Sequence, residues 1–82
     1  MNNIKIFFLS ATSGKTEKGT YYKVTLNILE TNDDRKKDFS VNFFVDVDTY
    51  AKAKSFTRFQ EVDAVFMPTE KGFARLVSIE GL

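Results

Sequence analysis

The sequence contains no cysteine, no histidine and no tryptophan. Without cysteine, the chain forms no disulfide, no thiolate metal site and no thiol nucleophile. Without histidine, it lacks the side chain that most often transfers protons at neutral pH and most often ligates metals. Serine–histidine and cysteine–histidine catalysis are therefore excluded for this chain alone. The sequence predicts neither an enzyme nor a bound metal or other cofactor.

Proline and long apolar runs are also scarce. Pro68 is the only proline, and the glycines at positions 14, 19, 72 and 81 mark expected turns. No stretch approaches the roughly 20 apolar residues that a transmembrane helix needs. Residues 1–5 do not begin a basic region followed by a long apolar run, as a signal peptide would. We therefore expect a cytoplasmic protein without a membrane anchor.

The composition is that of one folded domain, residues 1–82. Hydrophobic residues make up 43% of the chain and aromatic residues 15%, with nine Phe and three Tyr. A chain of this size builds one small core, so not every ring is expected inside it. The formal net charge is only +1, but it is segregated: residues 1–23 carry four lysines against one glutamate, and residues 24–48 carry three basic against six acidic groups.

Apolar alternation predicts three strands in the first half of the chain. Residues 4–9 are β-branched and aromatic and predict the first strand, followed by a polar loop over residues 12–19. Residues 20–29 alternate between apolar and polar side chains and predict the second strand. A loop is expected over residues 31–37, and renewed alternation predicts the third strand over residues 39–47.

The period changes after the third strand. Residues 48–56 predict a short helix with Asp48 as its N-cap. Residues 62–67 predict a fourth strand, residues 69–72 a hairpin turn, and residues 73–80 a fifth strand. The order β-β-β-α-β-β predicts a mainly β fold, a five-stranded OB-fold Greek-key barrel with one short helix between strands three and four. An SH3-like barrel is the alternative, but the position of the helix favours the OB-fold.

Two short motifs suggest chemistry that their context does not support. Residues 13–16 (Ser-Gly-Lys-Thr) look like the end of a phosphate-binding P-loop, but position 9 is leucine where that motif needs glycine. The acidic groups at residues 33–34 and 46–48 lack the ligand spacing and the glycine of a calcium loop. We interpret these segments as a hairpin loop, a solvated turn and a helix cap, without a metal site.

The aromatic residues carry a stronger signal. If Tyr22, Phe39 and Phe43 face inward with the other apolar positions, then Tyr21 and Phe44 face outward. Strands two and three are adjacent in an OB barrel and form its usual ligand face. Exposed rings on such a face stack on nucleic-acid bases while nearby cations contact the phosphates. Phe44 on a subunit interface is the other interpretation.

The cations and two further rings complete the predicted interface. Lys15 and Lys18 on the first loop and Lys71 on the last hairpin are expected to border the ligand face, and Arg75 is a weaker candidate. Phe7 fits either the core or an exposed position, and Phe73 either a ligand contact or a plug at the barrel end. The predicted nucleic-acid-binding residues are Lys15, Lys18, Tyr21, Lys23, Phe44, Lys71 and Phe73.

Residues 16–25 (Thr-Glu-Lys-Gly-Thr-Tyr-Tyr-Lys-Val-Thr) resemble the loop and second strand of the small OB-fold single-stranded DNA-binding proteins of phages, including filamentous phages. Residues 72–78 also look like the closing strand of such proteins. The resemblance implies a cytoplasmic homodimer that coats single-stranded DNA with little sequence preference during phage or mobile-element DNA replication or recombination, in a bacterial host cell. It supports Lys18, Tyr21 and Lys23 as contacts, and Phe73 more weakly.

Two alternatives remain open from the sequence. RNA is a possible ligand, because no residue is assigned to a contact with a 2′-hydroxyl group. A small barrel that binds another protein through the same outer face, or through an open strand edge, accounts equally well for an exposed Phe44 or Phe7.

Overall fold

The structure, a computed structural model, describes residues 2–32, 34–70 and 74–82. The predicted order of elements is confirmed. In chain order the elements are β1 (Asn2–Thr16), β2 (Gly19–Asn32), β3 (Arg35–Val45), α1 (Val47–Ala53), β4 (Glu61–Pro68) and β5 (Ala74–Gly81). The strands form one antiparallel sheet in the order β3-β2-β1-β4-β5. The protein is therefore mainly β, with one short helix between the third and fourth strands.

The hairpin of β1 and β2 is longer than predicted. Residues 12–16, expected in a loop, pair with β2 up to Thr16 opposite Gly19, so the turn contains only Glu17 and Lys18. The loop prediction was wrong because backbone hydrogen bonds to a neighbouring strand can extend a ladder even where no apolar side chains are buried. The register shifts between Phe8 and Ser10. This bulge reverses which β1 side chains face the core.

The opposite end of β2 is also extended. Residues 35–37, expected in a loop, belong to β3 and pair with β2. Phe39 was expected to face inward with Phe43. It lies on the same side of β3 but is 44% exposed. The prediction failed because this end of β3 projects past the core, where side-chain alternation no longer ensures burial.

Helix α1 is shorter than predicted and begins earlier. Its N-cap is Asp46, not Asp48: the backbone N–H of Thr49 donates to Asp46 Oδ1 at 2.8 Å. Both residues suit a cap, but β3 ends at Val45, so Asp46 is the first residue free to act as one. Thr49 and Ala53 are the buried residues of the helix. Within the described part of the chain, no helix is long and apolar enough to cross a membrane.

The core lies beneath the middle of β2 and joins strands β1, β2 and β3 to the β4–β5 hairpin. Its buried members come from every strand and from α1, namely Phe8, Val24, Leu26, Phe43, Ala53, Val62, Leu76 and Ile79. The edge strands β3 and β5 approach one another, and Phe43 contacts Phe66 of β4 with ring centroids 5.3 Å apart. The strand pairing observed in the described residues includes no β3–β5 ladder. The sheet is thus curved but open between β3 and β5.

Candidate nucleic-acid interface

The candidate site lies on the side of β2 and β3 that is turned away from the core. Val24 and Leu26 of β2 are fully buried, so strand alternation places their neighbours on the opposite side. The register of β2 with β3 continues this side onto the third strand. We call it the outer face, formed by Tyr21, Lys23, Thr25 and Asn27 of β2 and by Ser40, Asn42 and Phe44 of β3.

Tyr21 and Phe44 form an exposed aromatic pair on the outer face. Their ring centroids are 6.0 Å apart and their planes meet at 83°, an edge-to-face contact. Tyr21 is 39% exposed and Phe44 is 70% exposed. Lys23 lies directly opposite Phe44 in the ladder. The pair therefore presents ring surface to solvent next to a cation, as the strand pattern predicted.

The Tyr21 ring lies over the backbone of β1. Gly14 is the ladder partner of Tyr21, and a Cβ atom built on Gly14 would lie 2.6 Å from Tyr21 Cζ. Real side chains do not approach that closely, so only glycine leaves space for the ring in this position. The sequence suggested a turn at Gly14; the structure shows a strand position whose missing side chain determines where Tyr21 lies.

A groove of about 540 Å³ runs along the open edge between β3 and β5. Asn42 and Phe44 line it from β3, and Ala74 and Arg75 line it from β5. Arg75 is exposed, and no carboxylate of the described residues lies within ion-pair distance of its guanidinium. The groove thus combines the face of Phe44 with the positive charge of Arg75, and it is continuous with the outer face.

The structure separates the predicted lysines. Lys18 lies exposed in the β1–β2 turn, at the same end of the hairpin as Tyr21, and Lys23 lies on the outer face. Lys15 does not join them: it pairs with Thr20, and alternation beyond the bulge places it on the side of Ser13, opposite to Tyr21. The sequence analysis placed Lys15 in a loop and therefore did not assign it to a face. Lys71 and Phe73 lie outside the described residues.

Side-chain hydrogen bonds connect β2 and β3 beyond the aromatic pair. Thr25 Oγ1 donates to Asn42 Oδ1 at 2.6 Å. Asn27 Nδ2 donates to Asp38 Oδ2 at 3.2 Å. The sequence analysis placed Thr25 and Asn27 outward but did not identify these contacts, because a strand pattern does not give the cross-strand register.

Phe7 occupies an intermediate position. It pairs with Asn27 on one side and with Glu61 of β4 on the other, and it is half-buried. Its ladder partners place it on the outer side of the sheet, next to the polar half of the outer face. Phe7 is therefore neither a fully buried core residue nor a member of the Tyr21–Phe44 pair.

Asp46 directly follows β3 and lies near Arg75, which lines the groove. Its carboxylate accepts hydrogen bonds from Thr49, and these, with a smaller contribution from the charge of Arg75, hold the pKa of Asp46 below its ordinary value of 3.8. Asp46 and Arg75 also line a smaller cavity of about 270 Å³ beside β5. Asp46 therefore stays ionised at neutral pH and places a negative charge in the smaller cavity beside Arg75.

Comparison with known protein families, curated proteins and solved structures found no match for this chain. Among residues 2–32, 34–70 and 74–82, no three acidic side chains are grouped so that they could hold a metal ion. The geometry of the site is therefore the evidence that bears on its function. It consists of two exposed rings in contact, the cations Lys18, Lys23 and Arg75, and an open groove beside Phe44.

Proposed function

We propose that this protein binds single-stranded DNA through the outer face and catalyses no reaction. The exposed Tyr21–Phe44 pair, with Lys23 opposite Phe44, is the observation that carries the proposal. Stacking of a base on an aromatic side chain contributes about 1–3 kcal/mol, and lysines nearby neutralise phosphates. Bases in a duplex are already stacked on each other, so these rings favour the single strand.

The proposal includes the OB-fold. Edge strands β3 and β5 approach each other, the only helix of the described chain follows β3, and the candidate site lies on β2 and β3. These features agree with a partly open five-stranded OB barrel and its usual ligand face. The proposed biological role is to coat single-stranded DNA with little sequence preference during phage or mobile-element replication or recombination. It rests on the resemblance of residues 16–25 to phage proteins, as does the proposed homodimer, which light scattering would test.

The decisive experiment is a fluorescence-anisotropy titration of a labelled oligo-dT, with a duplex and an RNA of equal length as comparators. We expect tighter binding to the single strand than to the duplex, weakening as salt is added. Replacement of Tyr21 or Phe44 by alanine should lower the affinity about fivefold or more, the effect of losing one stacked base. Phe59→Ala is the matched control, because Phe59 is 64% exposed but does not lie on β2 or β3.

Absence of binding at low salt, where charges are least screened, would overturn the proposal. The alternative would then be a protein-interaction module. An apolar patch on the β4–β5 hairpin, outside the outer face, favours it: Val65, Met67 and Val77 are 54%, 56% and 40% exposed. Replacement of both Lys18 and Lys23 by alanine distinguishes the two functions, since it should weaken binding to DNA while leaving an apolar protein interface intact.

A further inference from the structure

Among the described residues, Phe59 is the aromatic side chain most exposed outside the outer face, at 64%. Its φ of 68° lies in the left-handed region, which an aromatic residue rarely adopts. The Phe59 N–H donates to Phe8 O at 2.6 Å, and the Phe8 N–H donates to Gln60 O at 2.8 Å. Phe59 and Gln60 together thus oppose Phe8, in the type of β-bulge whose first residue is glycine; here that position holds a large exposed ring.

The loop before this bulge fixes Phe59 and places a cation beside it. The Gln60 N–H donates to Thr57 O at 2.9 Å, and the Thr57 N–H donates to Gln60 Oε1 at 3.0 Å. The Arg58 guanidinium lies 5.2 Å from the centroid of the Phe59 ring and forms no ion pair with a described carboxylate. We call Arg58 and Phe59 the corner. Because backbone strain persists mainly where function requires it, the strained and exposed ring indicates a contact with a partner.

A surface of matching chemistry lies on the β4–β5 hairpin. Ala64 and Phe66 pack on the core, so the residues between and beside them on β4 face away from it. We call the three exposed apolar residues of the hairpin the hairpin patch: Val65, Met67 and Val77. Asp63 borders this patch; it is exposed and forms no ion pair with a described cation, whereas its ladder partner Glu80 is paired with Lys52. Asp63 is therefore the carboxylate that this surface offers to a cation of a partner.

We infer that the corner of one copy of the chain binds the hairpin patch of a second copy, with Phe59 on the apolar residues and Arg58 beside Asp63. Phenylalanine, methionine and arginine are residue types that protein interfaces favour. Within one chain, the ordered strand β4 keeps the corner and the patch apart. Since the corner directly precedes that strand, a two-fold axis across β4 brings each copy's corner to the other's patch, and the contact forms twice in a closed dimer.

The inference rests on the homodimer of the proposed function and gives that dimer its interface. A second copy is the favoured occupant because the chain itself carries both halves of the contact. The corner supplies a ring and a guanidinium group, and the patch supplies apolar side chains and a carboxylate. Neither half belongs to the outer face, so binding of a short single strand and formation of the dimer can be measured separately.

The test measures the dimer dissociation constant by sedimentation velocity over a range of protein concentrations. The proteins compared are the wild type, F59G, V65T, R58D, D63R and the double variant R58D/D63R. F59G removes the ring and suits the left-handed backbone, and threonine suits a strand, so both variants are expected to fold. F39T is the matched control, because Phe39 is a 44% exposed ring on β3, away from β4 in the strand order. Circular dichroism verifies folding.

The wild type should form a dimer whose mass does not increase further with concentration. F59G should raise the dimer dissociation constant about tenfold or more, the effect of losing an aromatic anchor, and V65T should raise it by a smaller factor. R58D and D63R should each raise it about fivefold or more, because reversal places like charges together. R58D/D63R should recover most of this loss, and F39T should change nothing.

A wild-type dimer whose dissociation constant is unchanged in F59G would overturn this inference alone, as would a double variant no better than R58D. A monomeric wild type would overturn both this inference and the proposed homodimer, and would leave the patch to a different protein. Mass that grows steadily with concentration would overturn the two-fold arrangement. A short oligo-dT should bind to every variant as it binds to the wild type; failure of the wild type to bind it would overturn the proposed DNA binding instead.

Discussion

The Tyr21 ring occupies the space that a side chain at Gly14 would need: a Cβ atom there would lie 2.4 Å from Tyr21 Oη. The two residues are direct partners in the β1–β2 ladder. The backbone of Gly14 does not have the positive φ that would restrict the position to glycine. What excludes a larger residue at this position is the ring itself, and this makes Gly14 part of the site.

We expect Gly14→Ala to displace the Tyr21 ring and to weaken binding to oligo-dT about as much as Tyr21→Ala does, about fivefold or more. The free energy of unfolding should change by less than about 1 kcal/mol, because an exposed ring can move aside. Anisotropy titration and urea unfolding measure the two effects. In a Tyr21→Ala background, Gly14→Ala should have no further effect on binding; an equally large effect there would contradict the role assigned to Gly14.

Lys18 should contribute to the salt dependence of binding. If its ammonium group neutralises one phosphate, Lys18→Ala lowers the slope of the logarithm of the binding constant against the logarithm of salt concentration by about 0.7. Titrations of oligo-dT at several salt concentrations give this slope. Lys36→Ala is the matched control, because Lys36 lies opposite Thr31 at the far end of β2. An equal change of slope in both variants would show that Lys18 acts only through net charge.

The capping carboxylate of Asp46 should make stability depend on acid pH. Because the pKa of Asp46 is lowered in the folded protein, its ionised form stabilises the fold above the ordinary value of 3.8, and this contribution is lost as pH falls through the lowered pKa. Asparagine caps a helix as well as aspartate does but does not titrate. We therefore expect urea unfolding to show a stability advantage of the wild type over Asp46→Asn at pH 6 that shrinks by pH 3. A constant difference across this range would contradict the assignment.

The Phe59→Gly variant should be more stable than the Phe59→Ala variant. It has a φ of 68°, in the left-handed region that side chains disfavour, while its backbone N–H donates to Phe8 O at 2.6 Å. The left-handed conformation costs an L-residue about 1–2 kcal/mol, a cost that glycine avoids. Phe59→Gly should thus unfold at higher urea concentration than Phe59→Ala. The reverse order would show that the position does not require this conformation.

Local pattern predicted the order of the elements and the two faces of β2. Alternation along β2 was sufficient to place Val24 and Leu26 inward and Tyr21 outward, because successive side chains of a strand point to opposite sides. The boundaries were predicted less well. Residues 12–16 and 35–37 are polar, and they extend strands because a neighbouring strand supplies backbone partners, which no single segment reveals.

The candidate site, too, was predicted from the sequence only in part. The sequence by itself determined that the chain lacks histidine and cysteine chemistry, and it predicted a mainly β fold with Tyr21 and Phe44 facing outward. Only the tertiary structure decided that these two rings touch, that Gly14 makes room for one of them, and that Thr25 donates a hydrogen bond to Asn42. It also placed Lys15 on the opposite side of the sheet and Arg75 across the groove from Phe44. Side-chain direction follows from the local period of a strand, whereas contact between strands depends on register, bulges and curvature, which are properties of the assembled sheet.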